Sequence, residues 1–406
     1  MTTTVIRGDA ANLPLPDNSV NLIVTSPPYF ALRSYKDGGE HYEGQIGDEA
    51  TPAEFVAALI RCTREWVRVL KPSGSLWVNL GDKYNAYNGN RGRGTMQDNG
   101  PRQNLPSGHG LDVKDIRAKS LIGVPWRYAL ACIDDLGLIL RAEVIWAKPN
   151  GLPESVTDRV RRSHETWFHF TLEPRYFSSV DAVREPHIVG GGKTWQERKD
   201  EGVSWTPGIG TRGTHLRNGQ VPNSHMSASP LGKLPGSVWT IPTQPLTVPD
   251  HLGVDHFAAF PMEWPRRIIR GWAPTRGICQ VCGEGLQPVT EVSRAGDCTE
   301  RRDSDRRFMG AAQGQNRNPG QFTITGYACA CDTTGPTTPA VVLDPFGGTG
   351  TTALIASVEG CHGITVDLSH DYCRLAQWRT TDPGERARAM QVAKPAPVHE
   401  SQGVLL

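Results

Sequence analysis

Val341-Val342-Leu343-Asp344-Pro345-Phe346-Gly347-Gly348-Thr349-Gly350-Thr351-Thr352-Ala353 combines an apolar strand, a glycine-rich turn and the start of a helix. Gly348, Gly350 and Ala353 fit the G-x-G-x-x-A pattern of nucleotide-binding loops, in which glycines let the backbone approach a ligand. Asp367 ends the next predicted strand, where a carboxylate can accept hydrogen bonds from ribose hydroxyls. The pattern predicts an α/β fold with a nucleotide-type cofactor. A glycine turn that serves only close packing is the alternative.

The loop is not a triphosphate-binding P-loop, because no lysine follows its last glycine. A dinucleotide dehydrogenase remains an alternative for this loop taken alone. It does not account for the second feature of the sequence, which lies near the amino end.

That feature is an apolar run, Val20 to Val24, which ends in Thr25-Ser26-Pro27-Pro28-Tyr29. The two prolines fix φ and lack an N–H, so they can neither continue a sheet ladder nor begin a long helix. The sequence therefore predicts a stiff turn at the carboxyl end of a buried strand, where open α/β sheets bind their ligands. The alternative is a rigid exit from the strand with no chemical role.

The rest of the chain alternates predicted strands and helices, which indicates a parallel sheet. Thr51-Pro52-Ala53-Glu54 predicts a capping box at the start of a helix. Three segments are polar, contain many glycine, serine or asparagine residues and interrupt this pattern: 84–112, 187–235 and 283–326. We expect the segment from about residue 382 to be a disordered tail.

Composition excludes some classes of function. The chain has 406 residues and a formal net charge of +1, so any nucleic-acid surface must be a local basic patch. The amino end does not resemble a signal peptide, and no apolar run approaches 18 residues. We expect a protein of the reducing cytoplasm without a membrane span, where close cysteine pairs bind metal more often than they form disulfides.

Two such pairs are present. Cys279-Gln280-Val281-Cys282-Gly283 is a knuckle of the C-x-x-C-G type, and Cys329-Ala330-Cys331 supplies a second pair. Four thiolates suit a closed, tetrahedral, structural zinc site. Reduced cysteines without a metal are the alternative, and Cys298 is a spare thiol between the pairs.

Together, these blocks resemble the amino-group DNA methyltransferases. Asp344 to Gly350 resembles their S-adenosylmethionine loop, and Leu22 to Tyr29 resembles their catalytic block, (Asp/Asn/Ser)-Pro-Pro-(Tyr/Phe). The catalytic block comes first, an order that resembles the permuted β class, and Asp9 falls where that class has an acid near the adenine. Further stretches that match are Trp146 to Asn150, His164-Glu165, Trp239 to Pro242 and His256 to Pro261.

The resemblance implies a circularly permuted, Rossmann-like, S-adenosylmethionine-dependent methyltransferase fold with polar insertions and a small zinc-binding element. It divides the chain into a catalytic half that includes the 84–112 loop (1–186), a target-recognition region (187–250) and a return to the core (251–278). A zinc insert (279–335), a cofactor-binding half (336–381) and the tail (382–406) follow. The cofactor-binding residues that it implies are Asp9, Asp344, Pro345, Phe346, Gly347, Gly348, Thr349, Gly350 and Asp367.

The implied catalytic residues are Ser26, Pro27, Pro28 and Tyr29. Protein acceptors that receive hydrogen bonds from the N–H groups of an exocyclic amine favour the pyramidal nitrogen that attacks a methyl group. The Ser26 Oγ and the Pro27 carbonyl are the candidate acceptors. Tyr29 could stack on a base that has left the duplex. Transfer would be direct, because no Pro-Cys nucleophile lies near the turn.

Serine at the first position resembles the cytosine-N4 members, and adenine N6 is the alternative target. The implied partner is double-stranded DNA. A cognate restriction endonuclease, and either a monomer or a homodimer, remain open. A zinc-bearing DNA-binding protein with an inactive methyltransferase core, and a protein or RNA amino-methyltransferase, are alternatives from other classes. Six arginines are candidate phosphate contacts: Arg33, Arg91, Arg93, Arg159, Arg161 and Arg162.

Overall fold

The structure is a computed structural model of the chain. It describes residues 2–31, 36–37, 40–41, 45–85, 116–151, 153–186, 188–189, 193–194, 232–254, 259–293, 321–331 and 335–394. Arg33, Arg91, Arg93 and Cys298, and most of the 84–112 and 187–235 segments, lie outside these ranges.

Sixteen strands are present in the described residues. In chain order they are β1 (Thr3–Arg7), β2 (Val20–Thr25), β3 (Lys36–Asp37), β4 (Glu40–His41), β5 (Leu70–Leu80), β6 (Ile139–Ala147), β7 (His164–Thr171), β8 (Ile188–Val189), β9 (Lys193–Thr194), β10 (Val238–Thr240), β11 (Ile278–Cys279), β12 (Gln287–Ser293), β13 (Gln321–Ala328), β14 (Thr337–Thr338), β15 (Val341–Asp344) and β16 (His362–Asp367).

The same part of the chain forms six α-helices: α1 (Pro52–Val69), α2 (Val124–Leu136), α3 (Glu263–Trp272), α4 (Thr351–Val358), α5 (His370–Thr381) and α6 (Pro383–Met390). Two short 3-10 helices occupy Val180–Val183 and Asp250–Leu252. None of the helices in the described ranges is both long enough and apolar enough to span a membrane.

Eight strands form one sheet in the order β1-β16-β15-β2-β5-β7-β6-β10. Every neighbouring pair is parallel except those that involve β7, which is antiparallel to both β5 and β6. The carboxyl ends of the parallel strands and the first residues of β7 therefore meet at one edge of the sheet. The pairing of β1 with β16 confirms that both ends of the chain build the sheet.

The sheet is buried on both faces, which explains the continuous apolar run in β2. One core cluster includes Phe55, Leu59 and Trp66 of α1 and Tyr128 of α2. The other contains six tryptophans and the apolar sides of α3 and α4: Trp77, Trp146, Trp167, Trp239, Trp264 and Trp272.

Local signals in the sequence determine where α1 begins. The Thr51 Oγ1 accepts from the Glu54 N–H at 3.2 Å, and the Glu54 carboxylate accepts from the Thr51 N–H at 3.0 Å. The predicted capping box is thus confirmed. The chain then enters β5 directly at Leu70.

One prediction about an irregular segment is wrong. Residues 383–390, predicted to belong to a disordered tail, form α6, because the Asp382 side chain caps it and Pro383 occupies its first turn. The segment predicted as a polar insert, 283–326, carries β12 and most of β13, which pair with each other as a hairpin.

Candidate active site

One cavity lies at the carboxyl ends of β1, β16, β15 and β2. Its volume of about 150 Å³ is about ten times the space that one water needs, so it can admit part of an organic ligand. The residues that line it come from three parts of the chain, 8–61, 259–260 and 345–372: Gly8, Asp9, Ala10, Ser26, Pro28, Gln45, Ile46, Arg61, Ala259, Phe260, Pro345, Phe346, Gly347, Gly348, Thr349, Thr351, Asp367, Leu368 and Tyr372.

The glycine loop, residues 345–350, joins β15 to α4 and forms one wall of the cavity. Gly348 and Gly350 have φ of +47° and +72°, which disfavours other residues at both positions. A Cβ at Gly347 would lie 1.5 Å from the Thr365 Oγ1, so only glycine fits against β16. The predicted strand–turn–helix context of this loop is confirmed.

Asp367 connects the end of β16 to this loop. Its carboxylate accepts from the Gly348 N–H at 2.9 Å and from the Ser369 N–H at 2.9 Å, and it lines the cavity. A carboxylate has about four acceptor sites, so it can still receive a ligand hydroxyl.

Asp344 has a different place from the one its sequence position suggests. It is buried beneath the loop and does not line the cavity. Its carboxylate accepts from the Thr352 Oγ1 at 2.8 Å and the Phe346 N–H at 3.2 Å. Burial raises the pKa of Asp344 to about 6, although the hydrogen bond from Thr352 opposes this shift. Asp344 therefore organises the loop from below.

Most of the other predicted cofactor-binding residues surround the cavity together. Asp9, Pro345, Phe346, Gly347, Gly348, Thr349 and Asp367 line it, whereas Gly350 turns the chain into α4 outside the lining.

The second wall is the Ser-Pro-Pro-Tyr turn at the end of β2. Ser26 and Pro28 line the cavity, and Pro27 and Tyr29 do not. The Ser26 Oγ donates to the Asn79 Oδ1 at 3.2 Å. The Tyr29 hydroxyl lies 2.5 Å from the same Asn79 oxygen and 2.7 Å from the Glu165 Oε2. The turn is therefore fixed by hydrogen bonds as well as by its prolines.

Three residues that hold this turn were not assigned a role from the sequence. Asn79 lies near the carboxyl end of β5, Glu165 near the start of β7 and Lys148 just after β6, and Lys148 forms an ion pair with Glu165. The Asn79 Nδ2 donates to the Thr166 carbonyl at 3.2 Å, which directs its Oδ1 towards Ser26 and Tyr29. Their shared position at one sheet edge was the signal that could have identified them.

The ring of Tyr29 packs against Gly81. A Cβ at that glycine would lie 2.5 Å from the Tyr29 Cε2, so glycine leaves the space that the ring occupies.

The four predicted metal-binding cysteines come together. The Sγ atoms of Cys279, Cys282, Cys329 and Cys331 all lie within 4.8 Å of one another. Backbone hydrogen bonds from Cys282 and Val281 lower the pKa of Cys279 to about 6, and the neighbouring sulfurs raise the pKa of Cys331 to about 12. Four thiolates repel one another, so a cation is needed to hold them all ionised.

Three of the candidate phosphate contacts, Arg159, Arg161 and Arg162, lie between β6 and β7, at the same edge of the sheet as the cavity. Arg159 binds Glu154 at 2.7 Å, and its guanidinium lies 3.7 Å from the centre of the Tyr84 ring. Arg162 lies 3.6 Å from the buried carboxylate of Asp82. Arg161 is exposed and donates to the Gly151 carbonyl.

Comparison with known proteins connects these features to a family. A family model described as DNA methylase (N6_N4_Mtase) matches residues 20–279. Type II methyltransferase M.XycI of Xanthomonas campestris pv. cyanopsidis is 41% identical over 196 residues, 47% of this chain and 61% of that protein. Type II methyltransferase M.Cfr9I of Citrobacter freundii is 41% identical over 196 residues, 46% and 60% of the two chains. The matched segments thus span about three fifths of these relatives.

Among solved structures, the PvuII DNA methyltransferase (cytosine-N4-specific) superposes with a TM-score of 0.51 at 15% identity, and the match covers 97% of this chain and 94% of that chain. This likeness shows a methyltransferase fold with a mixed α/β sheet. Because the family model covers well over half of the sequence, the chain belongs to the N6/N4 DNA methylase family.

Proposed function

We propose that the protein transfers a methyl group from S-adenosylmethionine to the exocyclic amino group of a base in a specific sequence of double-stranded DNA. The observation that carries the proposal is the single cavity that Ser26 and Pro28 share with the glycine loop. A methyl donor and an acceptor amine must meet in one sheltered space.

The lining suits an adenosine with a cationic sulfur. Asp9 and Asp367 supply two carboxylates, which can accept from hydroxyl or amino groups and attract positive charge. Phe346 and Leu368 offer apolar surface to a purine ring, and Gly348 lets the backbone approach it. When bound, S-adenosylmethionine supplies an electrophilic methyl group.

Ser26 is our candidate acceptor for the amino group. Its hydroxyl donates its proton to Asn79, so the oxygen lone pairs remain able to accept an N–H. We assign the Pro27 carbonyl as the second acceptor and the Tyr29 ring as a stacking surface for a flipped base. The prolines hold these groups in place before the base arrives, which is the electrostatic route to catalysis.

We assign the protein to the permuted β class because its catalytic turn precedes its cofactor loop. Serine at position 26 favours cytosine N4 over adenine N6. We place the target-recognition surface in the middle of the chain, at 84–112 and 151–335, and regard a cognate restriction endonuclease as a natural partner.

We propose a structural zinc ion at the four-cysteine cluster. The spacing of the sulfurs and the lowered pKa of Cys279 suit a thiolate site. Zinc would hold the base of the β12–β13 hairpin to the β11–β14 pair, because the cysteines lie in β11, just beyond it and just after β13.

The test is to express the wild-type chain and Ser26→Ala in cells that lack other methylases and to sequence their DNA with detection of both modified bases. We expect one modified sequence, with N4-methylcytosine, in the wild-type sample alone. N6-methyladenine at one sequence would support the adenine alternative.

Combined with assays on the purified protein, this experiment also distinguishes an active methyltransferase from the two alternative classes. Unmodified DNA, together with binding of purified protein to DNA, would favour a zinc-bearing DNA-binding protein without activity. Methylation of RNA or protein substrates, with unmodified DNA, would favour the other alternative class.

A further inference from the structure

Arg379 of α5 reaches the glycine loop from inside the protein. Its Nη1 donates to the Thr349 Oγ1 at 2.7 Å and to the Thr351 Oγ1 at 2.6 Å. All three side chains are almost completely buried, and both threonines also line the cavity. Arg379 thus contacts the wall of the cavity without lining it.

Glu385 of α6 supplies the countercharge. The Arg379 Nε donates to the Glu385 Oε2 at 3.2 Å, and the two side chains are 4% and 7% exposed. Burial lowers the pKa of Arg379, and Glu385 opposes that shift. The guanidinium also lies at the amino end of α4, where the helix dipole disfavours a cation. The carboxylate offsets both costs.

A buried ion pair of this kind does not by itself indicate a gain in folding stability, because apolar residues of similar volume often stabilise a protein equally well. What apolar residues could not supply is a pair of directed hydrogen bonds, one to Thr349 of the loop and one to Thr351 at the start of α4. Helix α5 also packs closely against the glycine loop, because a Cβ at Gly350 would lie 3.0 Å from the Ala376 Cβ.

We propose that Arg379, held by Glu385, is a positioning residue that fixes the glycine loop in the shape that binds the cofactor. The α5–α6 pair is then part of the cofactor site. The proposal rests on the proposed function, in which this cavity binds S-adenosylmethionine.

The test uses Arg379→Met in the full chain, with Arg266→Met as the matched control. Arg266 is similarly buried and bonded to Glu359 and to the Ala389 carbonyl, and it does not line the cavity. Both variants should lose stability in urea unfolding. We expect Arg379→Met alone to weaken S-adenosylmethionine binding, measured by calorimetry, by about tenfold, because the loop loses the hydrogen bonds that hold it in the binding shape.

Equal affinities of wild type and Arg379→Met would overturn the proposal, as would equal weakening in the two variants. If Arg379→Met does not fold, Thr351→Val answers the question, because it removes one acceptor at nearly constant volume. It should weaken cofactor binding by several fold, and unchanged affinity would overturn the proposal. Failure of the wild-type protein to bind S-adenosylmethionine would instead contradict the proposed function.

Discussion

The position of the Tyr29 ring depends on a residue that has no side chain. Gly81 follows β5, and a methyl group there would overlap the ring edge, while the Tyr29 hydroxyl is held by Asn79 and Glu165. The ring cannot move away without breaking these hydrogen bonds.

We therefore predict that Gly81→Ala displaces the ring and lowers kcat on the order of a hundredfold, the cost of about 1 Å of misplacement. Cofactor affinity should stay near the wild-type value. Steady-state methylation and calorimetry would measure the two quantities. Gly236→Ala is the control, because its Cβ would meet no atom within 4 Å. Wild-type kcat in Gly81→Ala would contradict the prediction.

Asp344 makes stability depend on pH. Because burial raises its pKa from 3.8 to about 6, the native state binds this proton more tightly than the unfolded chain does. The stabilisation is complete below about pH 4 and is lost as the pH rises through 6.

Asp344→Asn has no such titration. Between pH 4 and 7 the unfolding free energy of the wild type should therefore fall relative to that of the variant by about 2.4 kcal/mol. Urea unfolding at several pH values gives both curves. Parallel curves would show that Asp344 has an ordinary pKa in the folded protein.

Among elements, the connection between β6 and β7 contains arginines with different surroundings. Arg159 is held by Glu154 and Tyr84, and Arg162 faces Asp82, whereas Arg161 is exposed. Arg159 and Arg162 therefore stabilise the connection, whereas Arg161 is free to contact a DNA phosphate in addition to its present hydrogen bond.

We predict that Arg161→Ala weakens binding to all DNA sequences alike and lowers the slope of log affinity against log salt by about 1. Fluorescence anisotropy at several salt concentrations measures this slope. Arg270→Ala is the control, because both of its hydrogen bonds go to Glu359. A slope equal to that of the wild type would exclude a phosphate contact at Arg161.

The sequence predicts elements well where the signal is local. The capping box at Thr51 and the loop between Leu343 and Thr351 depend on neighbouring residues, and both are confirmed. The helix α6 has a local start signal in Asp382 and Pro383, but it was missed because the contact that packs this polar segment onto the core, Glu385 with Arg379, joins two elements. The hydrogen bonds of Tyr29 to Asn79 and Glu165 were missed because they depend on the order of strands, which local patterns do not specify.

At the scale of the whole molecule, the cysteine cluster lies outside the main sheet, between the β11–β14 pair and the β12–β13 hairpin. We predict about one zinc ion per wild-type chain and its loss in Cys282→Ser, because four ligands close a tetrahedral site. Metal analysis measures the content, and Cys373→Ser, outside the cluster, is the control.

Cofactor affinity should survive in Cys282→Ser, since the sheet does not depend on the cluster. A wild-type protein that is purified without zinc and does not bind added zinc would contradict the zinc proposal.

The parallel pairing of β1 with β16 also has a consequence for biosynthesis. Residues about 360 positions apart become neighbours, so the first strand emerges from the ribosome long before its partner exists. Closing so long a loop is slow, because contacts of high sequence separation form only after a large loss of chain entropy. The nascent chain carries Ser26 and Tyr29 from an early stage, but the cavity lacks the wall formed by the glycine loop until residues 345–350 have been made. Fragments that end before the glycine loop would therefore lack a complete cavity.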